Sequence, residues 1–229
     1  MLRVRLLFEK TGPARYISHL DLTRTFQRAF RRADLPLSYS EGFNPHPYLS
    51  VARPLPVGVS SFCELLDFGL EDNARCTMHN AQFDNTLPGQ ISAALPIGLR
   101  VTGAYPAARK FQEIAWAVYT MELSWDGPAD GTCDCLNALF DGRPLPVIKK
   151  SKKGMVEINA AALVRDVALT APDEGCVVLR AGLAAGETSL GPGTLLEALL
   201  AAAGDDLVPW ARAGVTRLAL LDNRGEVFR

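Results

Sequence analysis

The chain opens on LRVRLLF, residues 2–8, where apolar and basic side chains alternate at period two. That is the pattern of a strand with one face buried. From residue 18 the period changes. In SHLDLTRTFQRAFRRAD, Leu22, Phe26, Ala29 and Phe30 recur at three- and four-residue spacing, which predicts an amphipathic helix with one apolar stripe. Ser18 and Asp21 have the spacing of a capping box at its start. Pro36 blocks continuation, so the helix is expected to end near Ala33.

Leu37–Ser40 reads as a short strand, 41–58 as a long connection rich in Pro and Gly, and Phe62–Phe68 as a second strand. A short helix over 87–94 precedes a strand over 98–105. The second half repeats that order: a strand over Ile114–Trp125, a helix over Cys133–Phe140, a strand pair (147–149 and 155–159) around the basic turn KKSKKG, and a strand over Cys176–Ala181. In GPGTLLEALLAAAG a helix tolerates Pro192 in its first turn and is ended by Gly204, and VTRLALLD closes the series as a strand. The expected fold is α+β, with two tandem ferredoxin-like βαββαβ modules over 1–108 and 109–229, each an antiparallel sheet with helices on one face.

At 229 residues and 48% hydrophobic content the chain can bury a substantial core. Its 24 Lys and Arg against 25 Asp and Glu give a net charge of −1, so the global balance does not select a polyanionic partner. The distribution is uneven, however. Residues 1–35 hold eight basic side chains and three acidic ones. No apolar run is long enough to span a bilayer and the N-terminus is too charged for a secretory signal, so a cytoplasmic location is expected. Cys63, Cys76, Cys133, Cys135 and Cys176 are odd in number and scattered, which fits reduced thiols rather than a disulfide framework.

One block has a more specific character. RYISHLDLTRTFQRAFRRADLPLSYSEGFNPHPYLSVARPLPVG, with its S-H-L-D start, Arg-rich helix, G-F-N-P-H-P segment and Leu-Pro-x-Gly turn, resembles the N-terminal block of the radical SAM-linked protein family. ALPIGLRV, KKSKKGMVEIN, GPGTLLEALL and VTRLALLD give looser matches along the rest of the chain. The resemblance implies an accessory protein whose partner is a radical SAM protein, and it implies no established activity. In that family a basic residue commonly follows N-P-H-P, where Tyr48 stands here. An acidic residue and then Arg commonly follow the basic turn, where Asn159 and Ala161 stand. If those positions bind something in relatives, the contact is expected to be weakened or lost here.

Candidate binding residues cluster in the first quarter. Arg24, Arg28 and Arg31 lie at spacings of four and three, on the helix face opposite the apolar stripe, where they suit RNA phosphates or an acidic protein patch. The competing reading is a solvated helix exterior. Arg15, just before the helix, is placed to assist an anion at the helix N-terminus, although Asp21 competes for those N–H groups. In GFNPHPYLS, Pro45 and Pro47 restrict the backbone and hold Asn44 and His46 in a defined loop.

His19, His46 and Tyr39 are the candidate acid–base groups, with no nucleophile visible beside them. Cys133 and Cys135 supply two ligands where a tetrahedral metal needs three or four, so no metal is expected. The three-cysteine cluster motif of a radical SAM enzyme is absent, as are phosphate-loop and dinucleotide fingerprints, so no cofactor is expected. The leading expectation is a binding or accessory protein engaging RNA or a radical SAM partner. The rivals are a metal-independent RNA-processing enzyme on paired ferredoxin-like modules and a purely structural partner protein.

Overall fold

The computed structural model describes residues 1–71, 86–126, 131–151 and 154–229. Cys76, Lys152 and Lys153 lie outside the described residues. The chain divides into two compact units, Met1–Glu113 with Arg229, and Ile114–Phe228. Each is α+β with antiparallel pairings.

In the first unit, strand β1 (Leu2–Lys10) lies between β3 (Ser60–Leu70) and β4 (Leu99–Pro106), and the short β2 (Leu49–Val51) pairs with the far side of β3. Helices α1 (His19–Arg32) and α2 (Leu87–Ala93) bury their apolar stripes in the same core as Val4, Leu6, Phe8, Leu66, Phe68 and Val101. Four phenylalanines tie the helix to the sheet. Phe8 meets Phe26 edge-on at 4.8 Å, and Phe30 stacks on Phe68 at 4.5 Å. Each such ring contributes on the order of 2–3 kcal/mol by leaving water.

Helix α1 starts where the sequence places it, with Ser18 Oγ accepting from the Asp21 amide at 3.2 Å. It ends at Arg32 with Ala33 as its C-cap, where the sequence places the end, and the local backbone adds a stop of its own ahead of Pro36. Asp34 adopts a left-handed conformation (φ 51°), and the Asp34 and Leu35 amides donate back to the Arg31 and Phe30 carbonyls. This is a Schellman closure, completed before Pro36 is reached.

The expected strand at Leu37–Ser40 is corrected to isolated bridges, Leu37 to Leu70 and Tyr39 to Pro47. The strand that joins the sheet is β2, inside the stretch read as connection. A three-residue strand leaves no period-two signal to detect.

In the second unit, β5 (Ile114–Ser124) lies between β9 (Cys176–Ala184) and β10 (Arg212–Asp222), and β8 (Val164–Asp173) borders β9. Tyr119, Met121, Leu123, Val177, Leu179 and Leu183 are buried, as are Leu136 of α3 (Thr132–Leu139) and Leu195 and Leu199 of α4 (Pro192–Ala203). Strand β8 is an addition to the expected order. Half-buried Val167 and Leu169 alternate with exposed Asp166, Ala168 and Thr170, but residues 171–173 are all exposed, so the period-two run is too short to stand out as a strand. The strand pair around the basic turn, β6 (Pro146–Ser151) with β7 (Gly154–Asn159), forms a separate two-stranded sheet. The element order of the second half is therefore longer than that of the first. Among the described residues no helix is long and apolar enough to cross a membrane.

Candidate functional site

The α1 arginines stand as their spacing requires. Arg24, Arg28 and Arg31 are exposed, on the side away from buried Phe26 and Phe30. Arg24 lies 3.5 Å from Asp21, with both side chains largely in solvent, a contact of little energetic weight. The Arg28 and Arg31 side chains make no hydrogen bond or ion pair among the described residues. Arg32 turns away and donates to the Ala94 carbonyl at 2.9 Å.

Arg15 is engaged next door. Its Nη2 donates to the Tyr16 hydroxyl and its guanidinium lies over that ring. At the helix N-terminus the Asp21 carboxylate accepts from the Ser18 hydroxyl at 2.7 Å. The cap groups therefore satisfy each other, with the carboxylate already seated where an anion would dock.

The Pro-braced segment forms a stapled hairpin. The Ser40 amide donates to the His46 carbonyl, the His46 amide donates to Ser40 Oγ, and Ser40 Oγ lies 2.9 Å from His46 Nδ1. Asn44, His46 and Tyr39 are exposed there, and Phe43 at the tip is fully exposed. His19 is exposed in the first turn of α1. No hydrogen bond among the described residues joins His19, His46 and Tyr39, or links Asn44 or His46 to the α1 arginines.

A second constellation escaped the sequence reading. The face of the first sheet opposite α1 carries a row of polar side chains, one from each strand. Register places Tyr105 of β4 beside Arg5 of β1, Arg5 beside Asp67 of β3, and Asp67 beside Ser50 of β2. Arg5 is fully buried and grips Asp67 in a bidentate pair, Nε to Oδ1 at 2.7 Å and Nη2 to Oδ2 at 2.9 Å. The chain after β4 then folds back over this row. Arg5 Nη2 donates to the Arg109 carbonyl, and the guanidinium lies 4.4 Å over the Phe111 ring.

Glu113 fastens that return, accepting from the Lys110 amide at 2.9 Å and from Arg109 Nε at 3.0 Å. The Lys110 amide bond, then the Arg109 bond, hold its carboxyl below the ordinary value. Beside it lies a cleft of about 340 Å³, lined by Arg3, Tyr48, Ser50, Asp67 and Arg109 to Gln112.

In the adjacent row Arg3 pairs with Gly69, and a Cβ at Gly69 would run into Met1 Sδ and Ser38 Cβ. Arg3 Nη2 donates to the Tyr48 hydroxyl at 2.8 Å. Tyr48, the departure from the resembled pattern, is thus tied to a cation instead of being one. Asn159, a second departure, acts locally, its Oδ1 accepting from the Leu145 amide and from that of Ala161, the third.

The period-two pattern of β1 did signal that Arg3 and Arg5 share a face. It could not signal burial of Arg5, because the covering segment lies a hundred residues away.

Cys133 and Cys135 sit two apart on α3, a spacing that points side chains away from each other. Burial, with Asp134 beside it, pushes the Cys133 thiol above its usual value, which disfavours the thiolate. Among the described residues no three His, Cys, Asp or Glu side chains gather as a metal set.

Residues 3–192 match the family model described as an uncharacterized protein conserved in bacteria, DUF2344. The chain belongs to that family. Its description names no radical SAM partner and no activity. No curated protein matches the sequence.

Among solved structures, a chain of an H/ACA ribonucleoprotein bound to a substrate RNA containing 2′-deoxyuridine is similar at a TM-score of 0.45 and 15% identity, over 94% of this chain and 46% of the other. A chain of a Cbf5-Nop10-Gar1 complex is similar at 0.45 and 15%, over 96% and 49%. A chain of an archaeal box H/ACA Nop10-Cbf5 complex gives 0.41 and 14%, over 93% and 46%. The chain spans about half the length of these solved chains, and what those complexes bind is a property of those proteins.

Proposed function

We propose that this DUF2344 protein is a non-catalytic binding protein that engages single-stranded RNA, with the exposed arginine face of α1 contacting phosphates. The observation that carries the reading is the state of Arg28 and Arg31, two solvent-facing guanidinium groups with no intramolecular partner among the described residues, in series with the weakly held Arg24. Cations so placed release counterions from a nucleic acid without first losing a protein contact. The stapled hairpin adds Phe43, a fully exposed ring on a restrained loop, suited to stacking on an unpaired base.

The test is RNA binding across a salt series for the wild type and an Arg24→Ala/Arg28→Ala/Arg31→Ala variant. The variant is expected to bind more weakly, with the salt slope reduced by about 2, since each single-strand phosphate contact contributes roughly 0.7. An unchanged slope overturns the assignment to α1.

Each unit is taken in the same proposal as a ferredoxin-like module, with the module boundary between β4 and β5. What supports this is the strand order: β4, β1, β3, β2 in the first unit and β10, β5, β9, β8 in the second, each antiparallel, with the β6–β7 hairpin as an insertion. A radical SAM enzyme as the protein partner rests on the resemblance over residues 15–58. Co-purification of the two proteins at micromolar concentration tests it, and failure to associate removes it.

A further inference from the structure

The geometry points to a second, separate binding site: we infer that the cleft on the polar face of the first sheet binds a phosphomonoester carried on a small hydroxylated molecule. It stands on the opposite face of the sheet from α1 and does not depend on RNA binding there.

The charge in the cleft is unbalanced. Arg3, Arg109 and Lys110 line it, Arg5 lies beneath, and the carboxylates of Asp67 and Glu113 neutralise two of these four cations. A phosphomonoester near neutral pH carries about −1.5 to −2 charge, which matches the surplus. Asp67 lines the cleft but does not oppose an anion strongly, because Arg5 engages both of its oxygens. Arg3 and Lys110 are exposed and supply the charge that reaches the opening. Arg3 is aimed by its bond to Tyr48, which makes Tyr48 a positioning residue.

The remaining lining is suited to the rest of such a ligand. Ser50 and Gln112 offer hydroxyl and amide groups for sugar-like oxygens, and Phe111 offers an apolar ring against which a flat or ring-shaped body can lie. A cleft of about 340 Å³ is at the small end of ligand sites, which span roughly 300–1,000 Å³. The floor is rigid for a physical reason: a buried bidentate ion pair, a backbone acceptor and an aromatic lid all fix the same guanidinium.

Calorimetric titration of the full chain with AMP, ribose 5-phosphate, inorganic phosphate and adenosine tests this. AMP and ribose 5-phosphate are expected to bind saturably and adenosine not to bind. Arg3→Gln and Lys110→Gln, both at exposed positions, are each expected to weaken binding by about tenfold, the scale of one charge-assisted hydrogen bond. Tyr48→Phe is expected to weaken it about threefold by releasing Arg3. Arg143→Gln, an exposed arginine in the other unit, is expected to change nothing.

Tighter binding of AMP than of ribose 5-phosphate identifies a nucleotide, and equal binding identifies a sugar phosphate. The inference is overturned if neither organic phosphate binds below about 5 mM, if inorganic phosphate binds as tightly as both, or if Arg3→Gln and Lys110→Gln bind like wild type. Unchanged thermal unfolding of the two variants confirms that any loss lies in the site.

Discussion

Arg5 and Asp67, neighbours across β1 and β3, form a bidentate ion pair with the Arg5 side chain wholly buried. Such a pair contributes little net stability against an apolar replacement, yet breaking it leaves an uncompensated charge in the interior. Asp67→Asn is therefore expected to destabilise the protein by about 3–5 kcal/mol in urea denaturation. An Arg5→Met/Asp67→Leu double variant is expected to be closer to wild type than Asp67→Asn. A double variant as unstable as the single one would show that the pair itself stabilises the fold.

Tyr105 gives a pH signature. Its hydroxyl is buried with no hydrogen-bond partner among the described residues, and burial pushes its pKa above 10.0, while Arg5 and Arg229 pull the other way. A group whose folded pKa is raised supplies its stabilisation fully below the unfolded value and loses it as pH rises through the folded value. Stability is thus expected to fall as pH rises above about 10, and this component of the fall should be absent in Tyr105→Phe. At pH 7, removing an unpaired hydroxyl is expected to cost less than about 1 kcal/mol. Denaturation midpoints for both proteins, followed from about pH 8 through the ordinary tyrosine range near about 10 and beyond, decide it.

Gly98 is required by its surroundings. It has φ +91°, its carbonyl accepts the Thr11 amide at 2.8 Å, and a Cβ would collide with the Thr11 carbonyl oxygen and come within 2.9 Å of Ala14 Cβ. Gly98→Ala is expected to cost about 2–4 kcal/mol through strain and overpacking together. A melting temperature within a degree or so of wild type would contradict that geometry.

Asp34 is the converse case, a side-chain-bearing residue in the left-handed position that closes α1. Glycine has no Cβ to strain there. Asp34→Gly is expected to raise stability by about 0.5–1 kcal/mol, read as a shift in urea midpoint at constant slope. A decrease would mean that the Asp34 carboxylate makes a stabilising contribution in solution that outweighs its backbone strain.

Local chemistry determined much of this protein from sequence alone. The Leu22, Phe26, Phe30 stripe, the Ser18 cap and the solvent-facing Arg24, Arg28 and Arg31 follow from residues within a few turns of one another. The strand period in LRVRLLF likewise assigned Val4 and Leu6 to one face and Arg3 and Arg5 to the other. Tertiary structure decided the rest. Which face of β1 receives a cover, that Arg5 meets Asp67, and that residues 109–113 return over them depend on cross-strand register between segments far apart in the chain. Neither β2 nor β8 announces itself, since one is too short for a period and the other carries its alternation only around Val167 and Leu169. Periodicity reports how a segment meets its own surroundings; it carries no information about which distant segment will supply them.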